Sequence, residues 1–359
     1  EYDRFAELVD EIYIIDHHFT VAAPENIPFY NVAVPEYVQC SNSYLMREIA
    51  SELSVESDFI DFCALIGLKG DFAIDPSTGI VVEYVKDFYE QVMDKFSGYL
   101  SDIAGEGTMF DVEQRDKSSL LSIVTEFIHA VSGGGFQFFY NNREPALKDV
   151  DAPVLIFKNL VEIEKIDFLS AKTLDDFIKL LPDNKILGKL FDYYKSDWKT
   201  VMIELKSSSR VDMINKYAIY LYMGENIKLL PMAGSIKLFE IKQAIKKDVV
   251  LILCNQTAAG IHISFRASSN DIHSGKICTA FQDNFKVYLP ELAGSIFGGG
   301  HPRAAEFKIN SPEAKLAFVL KTVMEYILEL SALAEKISAQ PDDEELKKKG
   351  LEKGLEYLL

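Results

Sequence analysis

Ile12-Tyr13-Ile14-Ile15-Asp16-His17-His18 is the stretch that decides the fold. Its continuous apolar run, too short for a helix, reads as a strand buried on both faces of a parallel sheet. The run stops at three polar side chains. That places a carboxylate and two imidazoles at the carboxyl end of a strand, where open α/β sheets build their sites. Upstream, residues 5–9 have helical apolar spacing, so helix and strand make half of an α/β repeat. The chain opens on Glu1 rather than Met and reaches a core strand by Ile12, which reads as a start inside a domain.

Working outward, Pro24, Pro28 and Pro35 mark a loop, and helices are predicted over residues 43–53 and 58–68. Ser57 is the N-cap of the second, and Gly67 and Gly70 close it, leaving Asp71 just past its end. Residues 84–205 read as mostly helical, broken at Gly133-Gly134-Gly135 and Asn141-Asn142. Strands then follow at 217–223, 249–254 and 261–266, with a helix at 238–246. A glycine-rich turn, Gly298-Gly299-Gly300-His301, leads into a strand at 304–309. Leu316, Val319, Leu320, Val323, Ile327 and Leu330 form one stripe of an amphipathic helix over 312–337, and a charged helix follows the break at Pro341. No internal repeat of useful period is present.

The whole chain has 359 residues, 48% hydrophobic and 26% charged, enough for two domains with cores of their own. Against 55 Asp plus Glu stand 37 Lys plus Arg, a net charge of −18, so the surface repels polyanions at long range. Any phosphate site must be local. A long duplex would require a basic stripe that releases many counterions, and the short run Lys347 to Lys349 inside an acidic tail is no such stripe. Cys40, Cys63, Cys254 and Cys278 lie far apart with no CxxC pair, which points away from a zinc knuckle or disulfide framework and toward a reducing cytoplasm. No apolar run approaches the roughly 20 residues of a membrane span, and no signal-peptide core is present.

Asp16, His17 and His18 offer one oxygen and two nitrogen donors, a mixture that suits manganese, with zinc, cobalt and iron as other first-row candidates. A capped strand end with backbone-bonded histidines is the plainer alternative. Asp71 follows a helix carboxyl end, where cations are preferred, so it is electrostatically misplaced unless a cation lies near it or it is an ordinary turn residue. Gly298, Gly299 and Gly300 let successive N–H groups converge on an anion, and His301 and Arg303 can add charge-assisted bonds. Arg266, at a strand end, is a further oxyanion clamp or else a surface ion pair. Phe136, Phe138, Phe139 and Tyr140 are either base-stacking or core aromatics.

These residues together resemble the DHH phosphoesterase superfamily, in its DHHA1-containing subgroup, and most of all the archaeal RecJ-like exonucleases. Asp16-His17-His18 matches the namesake motif, residues 67–71 a later metal-binding aspartate, and residues 298–305 the GGGHxxAA signature. The order and spacing agree over nearly the whole chain. The resemblance implies an α/β fold: a parallel-sheet DHH domain, N-terminally incomplete (1–83), a helical insertion and connector (84–205), a smaller α/β DHHA1 domain (206–311) and C-terminal helices (312–359). It implies two manganese ions, or magnesium or cobalt, with His17 and Asp71 as ligands, Asp16 a ligand or orienter, and His18 facing the phosphoryl group. Arg266, Gly298, Gly299, Gly300, His301 and Arg303 would bind substrate phosphate. The family's upstream DxD motif and bridging aspartate have no counterpart before Asp16. Glu306 stands where the family usually has glycine, placing a negative charge beside the phosphate site.

The activity implied is metal-dependent phosphodiester hydrolysis on single-stranded DNA or RNA or short oligonucleotides, in the setting of DNA repair or replication. Two other readings share these residues. One is an inactive DHH-family replication scaffold that binds helicase-associated proteins, for which the acidic charge and helical insertion are suited. The other is a phosphodiesterase of cyclic dinucleotides or other small nucleotides. The sequence leaves the oligomeric state open.

Overall fold

A computed structural model describes residues 11–17, 28–32, 38, 40–71, 73–74, 79–101, 118–133, 140–205, 209–214 and 217–356. The helix read at 5–9, His18, and Phe136, Phe138 and Phe139 lie outside the described residues. The chain divides into two compact units, Glu1–Tyr194 and Lys195–Leu359.

In the first unit β1 (Ile14–Asp16) pairs in parallel with β2 (Phe29–Asn31), Asp16 lying opposite Asn31. The expected burial on both faces is only partly met. Ile14 and Ile15 are half-buried, and Tyr13 is 67% exposed, because among the described residues β2 is the one strand paired with β1. Helix α1 (Asn42–Glu52) starts where Ser41 Oγ accepts from Tyr44 N–H at 3.2 Å. Helix α2 (Asp58–Gly70) starts in the same way at Ser57, and Asp58 and Asp61 in its first turn suit the helix dipole.

The sequence reading ends α2 at 68, but the helix runs through Gly67 to Gly70. Gly67 is a packing contact rather than a stop. A Cβ there would overlap Ser43 Oγ and lie 2.7 Å from Ser41 Oγ, so the absent side chain lets α2 lie against the start of α1.

The helical region that follows includes α3 (Leu120–Ser132), α4 (Ala152–Ile163), α5 (Leu174–Leu180) and α6 (Asn184–Glu204). Gly133, at φ +66°, closes α3 in the left-handed conformation expected of a helix-ending glycine. Phe62 of α2 is fully buried against Phe96, Tyr99, Phe168 and Phe177, which ties α2 into this region. Burial of each such ring contributes roughly 1.5–3 kcal/mol. Tyr140 is buried, its ring edge-on to that of Tyr194, and so belongs to the core.

The second unit is built on a six-stranded sheet of order β3-β4-β5-β6-β8-β7. Its strands are β3 (Ser209–Ile214), β4 (Tyr217–Glu225), β5 (Asp248–Thr257), β6 (Gly260–Ala267), β7 (Ile296–Gly300) and β8 (Ala304–Ile309). Only β4 and β5 pair in parallel. Helix α7 (Leu230–Ile245) begins earlier than the predicted 238 because Pro231 sits in its first turn, where a missing N–H costs nothing. One face of the sheet carries Ile261, Ile263, Phe265, Phe307 and Ile309, packed on α8 (Ser274–Tyr288) and α9 (Leu316–Ala339). A last helix, α10 (Glu344–Glu352), follows.

Residues 298–300 are strand rather than turn, and the reversal falls at His301, Pro302 and Arg303. The glycines let β7 approach α8. A Cβ on Gly298 would overlap Cys278 O, and one on Gly275 would overlap Gly300 O.

Candidate functional site

The first group of candidate residues is assembled by β1, α1 and α2. The carboxylate of Asp16 accepts from the His17 N–H at 2.8 Å and so closes the strand end on itself. His17 is 9% exposed, and its Nδ1 lies 2.8 Å from Asn42 Oδ1. An amide oxygen can only accept, so the imidazole that makes this bond carries a proton on Nδ1. Nε2 points to Asp71 Oδ2 at 3.8 Å. Asp71 is the C-cap of α2, its N–H donating to Gly67 O, and the close approach at Gly67 holds that helix end beside Asn42.

Two donors 3.8 Å apart can both reach one divalent ion at about 2.1 Å from each. The pair therefore fits one edge of a metal site. Among the described residues no group of three His, Cys, Asp or Glu completes a ligand set. Cys40 is buried; burial first, and the Asp71 charge second, push its thiol up to about 11. Near neutral pH it stays a thiol. Behind Asp71, a Cβ on Gly70 would meet His129 Nε2 at 3.1 Å, and burial lowers the pKa of His129. Sequence reasoning missed both Asn42 and His129. The run Ser41-Asn42-Ser43 announces a helix start, but nothing in it shows that Asn42 faces a histidine across the unit.

The second group lies at one end of the six-stranded sheet. Arg266 pairs with Ala304 and Gly300 with Ala305, which gathers Arg266, Gly300, His301 and Arg303 at the β7–β8 reversal. That reversal is held by His301 N–H to Ala304 O and by Ala267 N–H to Arg303 O, each at 2.8 Å. The first amides of α8 complete it, Ser274 donating to Pro302 O and Gly275 to His301 O. His301 and Arg303 are exposed.

Arg266 is half-buried and spends Nε on Pro231 O (3.1 Å) and Nη1 on Phe265 O (2.8 Å), leaving Nη2 for another acceptor. Burial lowers its pKa, and the carboxylate of Glu306 opposes that. The glycines form no free nest of three amides, since Gly298 N–H donates to Gln282 Oε1 at 2.9 Å and β7 is paired along its length with β8. Gly299 (φ +154°) and Gly300 (φ +138°) adopt backbone angles that other residues reach only with strain, and they shape the strand end. His273, the N-cap of α8, accepts from Lys276 N–H and is an electrostatic neighbour of His301. It too was missed.

The charge of Glu306 is answered locally. Its Oε2 lies 2.7 Å from Lys308 Nζ and 3.3 Å from His262 Nε2. Burial works to raise the pKa of this carboxyl, and the two partners outweigh it, holding the group at about 2.

No family model matches the chain, and no curated protein matches it. A solved DHH-domain structure, described as coming from a family of ribosomal proteins, aligns over 91% of this chain and 66% of its own length. The identity is 15% and the TM-score 0.53. The chain thus has the fold of a DHH-domain protein and spans just under two thirds of that one. The magnesium complex of RecJ from Thermus thermophilus aligns over 81% of this chain and 37% of its own, at 13% identity. Its TM-score, 0.33, is too low to bear on the fold. Among the described residues no helix is long and apolar enough to cross a membrane.

Proposed function

We propose that the chain is part of a divalent-metal-dependent phosphodiesterase of RecJ-like type that hydrolyses single-stranded DNA or RNA, or short oligonucleotides. The observation that carries this reading is the meeting of His17 Nε2 and Asp71 Oδ2 at 3.8 Å, with the His17 tautomer set by Asn42. His17 and Asp71 would hold a manganese, magnesium or cobalt ion, Asp16 would orient the strand end, and His18 would face the scissile phosphate. When bound, paired ions supply an activated hydroxide and neutralise charge on the phosphoryl oxygens. Arg266 Nη2, His301 and Arg303 would take substrate phosphate in the second unit, with Gly298, Gly299 and Gly300 giving the backbone room to come close.

The test is release of mononucleotides from 5′- and 3′-labelled DNA and RNA by the complete gene product, its N-terminus fixed by mass spectrometry, with manganese supplied. His17→Ala and Asp71→Ala should abolish release, and His301→Ala should mainly raise KM. Full activity in the first two variants would overturn the reading, as would a wild-type protein inert on every labelled substrate and on cyclic dinucleotides.

A further inference from the structure

Beyond the phosphate groups, the register of the second unit's sheet assembles a set of side chains that the function above does not use. On the face opposite α8 and α9, α7 lies over β5 and β6, its Pro231 O taken by Arg266 Nε; on that face β6 presents His262 and the buried Ser264, and β8 presents Glu306 and Lys308, with Ser264 directly opposite Glu306. On the edge strand β7, Phe297 is paired with Lys308 and Gly299 with Glu306. Phe297 is 52% exposed. With glycine beside it, Glu306 has no β7 side chain covering it. Lys308 Nζ bonds Oε2 at 2.7 Å and His262 Nε2 lies 3.3 Å from the same oxygen, so Oε1 is left as an acceptor in a carboxyl 37% exposed. Ser264 is 2% exposed, and its buried Oγ finds no partner among the described residues.

We propose that the β7–β8 edge of this face is a nucleobase subsite, in which Phe297 stacks on the base while Glu306 Oε1 receives an exocyclic amino group. Glu306 is an acceptor only, so the exocyclic amino groups of adenine, cytosine and guanine fit it, whereas uracil has no amino group and brings its ring N3–H to a carboxylate only with two carbonyl oxygens beside it. Phe297 and Gly300 are three residues apart on one strand, about 10 Å, a reach that one nucleotide covers between base and phosphate. The inference rests on the phosphate-binding reading of Arg266, His301 and Arg303, and adds a base preference to it.

The experiment is calorimetric titration of the full chain with AMP, CMP, UMP and ribose 5-phosphate. AMP and CMP are expected to bind at least fivefold more tightly than UMP, and all three nucleotides more tightly than ribose 5-phosphate. Phe297→Ala should weaken AMP about tenfold and leave ribose 5-phosphate unchanged, and Phe297→Tyr should restore AMP. Glu306→Gln, whose amide can also donate, should erase the difference between CMP and UMP. If ribose 5-phosphate binds and the nucleotides bind no better, or if Phe297→Ala leaves the ratio of AMP to ribose 5-phosphate unchanged, the base subsite is refuted and the phosphate site stands. If neither ribose 5-phosphate nor any nucleotide binds, both fall together.

Discussion

Replacing Gly67 by alanine tests how the first unit brings Asp71 to His17. Alanine in place of an interior helix glycine favours the helix by about 1 kcal/mol. Against that, the new methyl overlaps Ser43 Oγ and lies 2.7 Å from Ser41 Oγ. Crowding a packed contact costs about 1–3 kcal/mol. If Ser41 swings away, its cap bond to Tyr44 N–H is lost as well, at about 1 kcal/mol. The net expectation is a loss of about 1–2 kcal/mol, read as a lower urea midpoint at unchanged slope. Adding Ser43→Ala removes the overlapping oxygen, so the double variant should recover at least about 0.5 kcal/mol beyond additivity. A Gly67→Ala protein as stable as wild type, with a strictly additive double variant, would show that α1 and α2 do not meet at this glycine, and the placement of Asp71 would lose its support.

The tautomer assignment predicts that Asn42→Leu, in metal-free protein, moves the His17 imidazole proton from Nδ1 toward Nε2, as read from imidazole nitrogen chemical shifts. Manganese affinity should fall about tenfold, while Asn42→Asp keeps both properties; an unchanged tautomer in Asn42→Leu would refute the role given to Asn42. For Glu306, the folded pKa of about 2 lies below that of an unfolded glutamate, so the pairing stabilises the fold above the unfolded value and is lost as pH falls through the folded one. Glu306→Gln should therefore cost about 1–2 kcal/mol at pH 7, allowing for solvent screening of a side chain 37% exposed. The gap to wild type should close between about pH 4.5 and 2; a gap that stays constant over that window would mean that Lys308 and His262 do not hold the carboxylate.

What was legible in the sequence follows how local each determinant is. Ser57 capping α2, Gly133 closing α3 and the strand at 304–309 are decided by a few consecutive residues, and the structure has them where the spacing put them. Gly67 and the run 298–300 were misread for a common reason. Glycine marks a turn when it supplies backbone freedom, but at Gly67 and Gly298 it supplies the absence of a side chain against a neighbouring element, and at Gly299 and Gly300 its positive φ serves a strand end rather than a turn. That neighbour is Ser43 in one case and the backbone of α8 in the other, and neither is visible in a local window. The start of α7 was lost because Leu229, at φ +58°, and Pro231 look like loop.

The candidate sites show the same division. The types of residue needed, a histidine at a strand end and an aspartate past a helix, could be read directly. Their orienting partners could not, because Asn42 and His273 are set by tertiary contact.

The net charge of −18 also takes a different meaning once the neighbours are known. Fields between exposed charges fade over about 8–10 Å at ordinary ionic strength, so a phosphate at the β7–β8 reversal responds to the charges beside it and only weakly to the rest of the surface. Near that reversal are Arg266, Arg303 and His301, together with Glu306, whose charge is already met by Lys308 and His262. Seen at that distance, the glutamate that looked adverse to an anion is already paired with a lysine. On the proposed reading, acidity of the whole chain disfavours long polyanions lying across its surface, and the phosphate of a short segment would be held by the charges at this strand end.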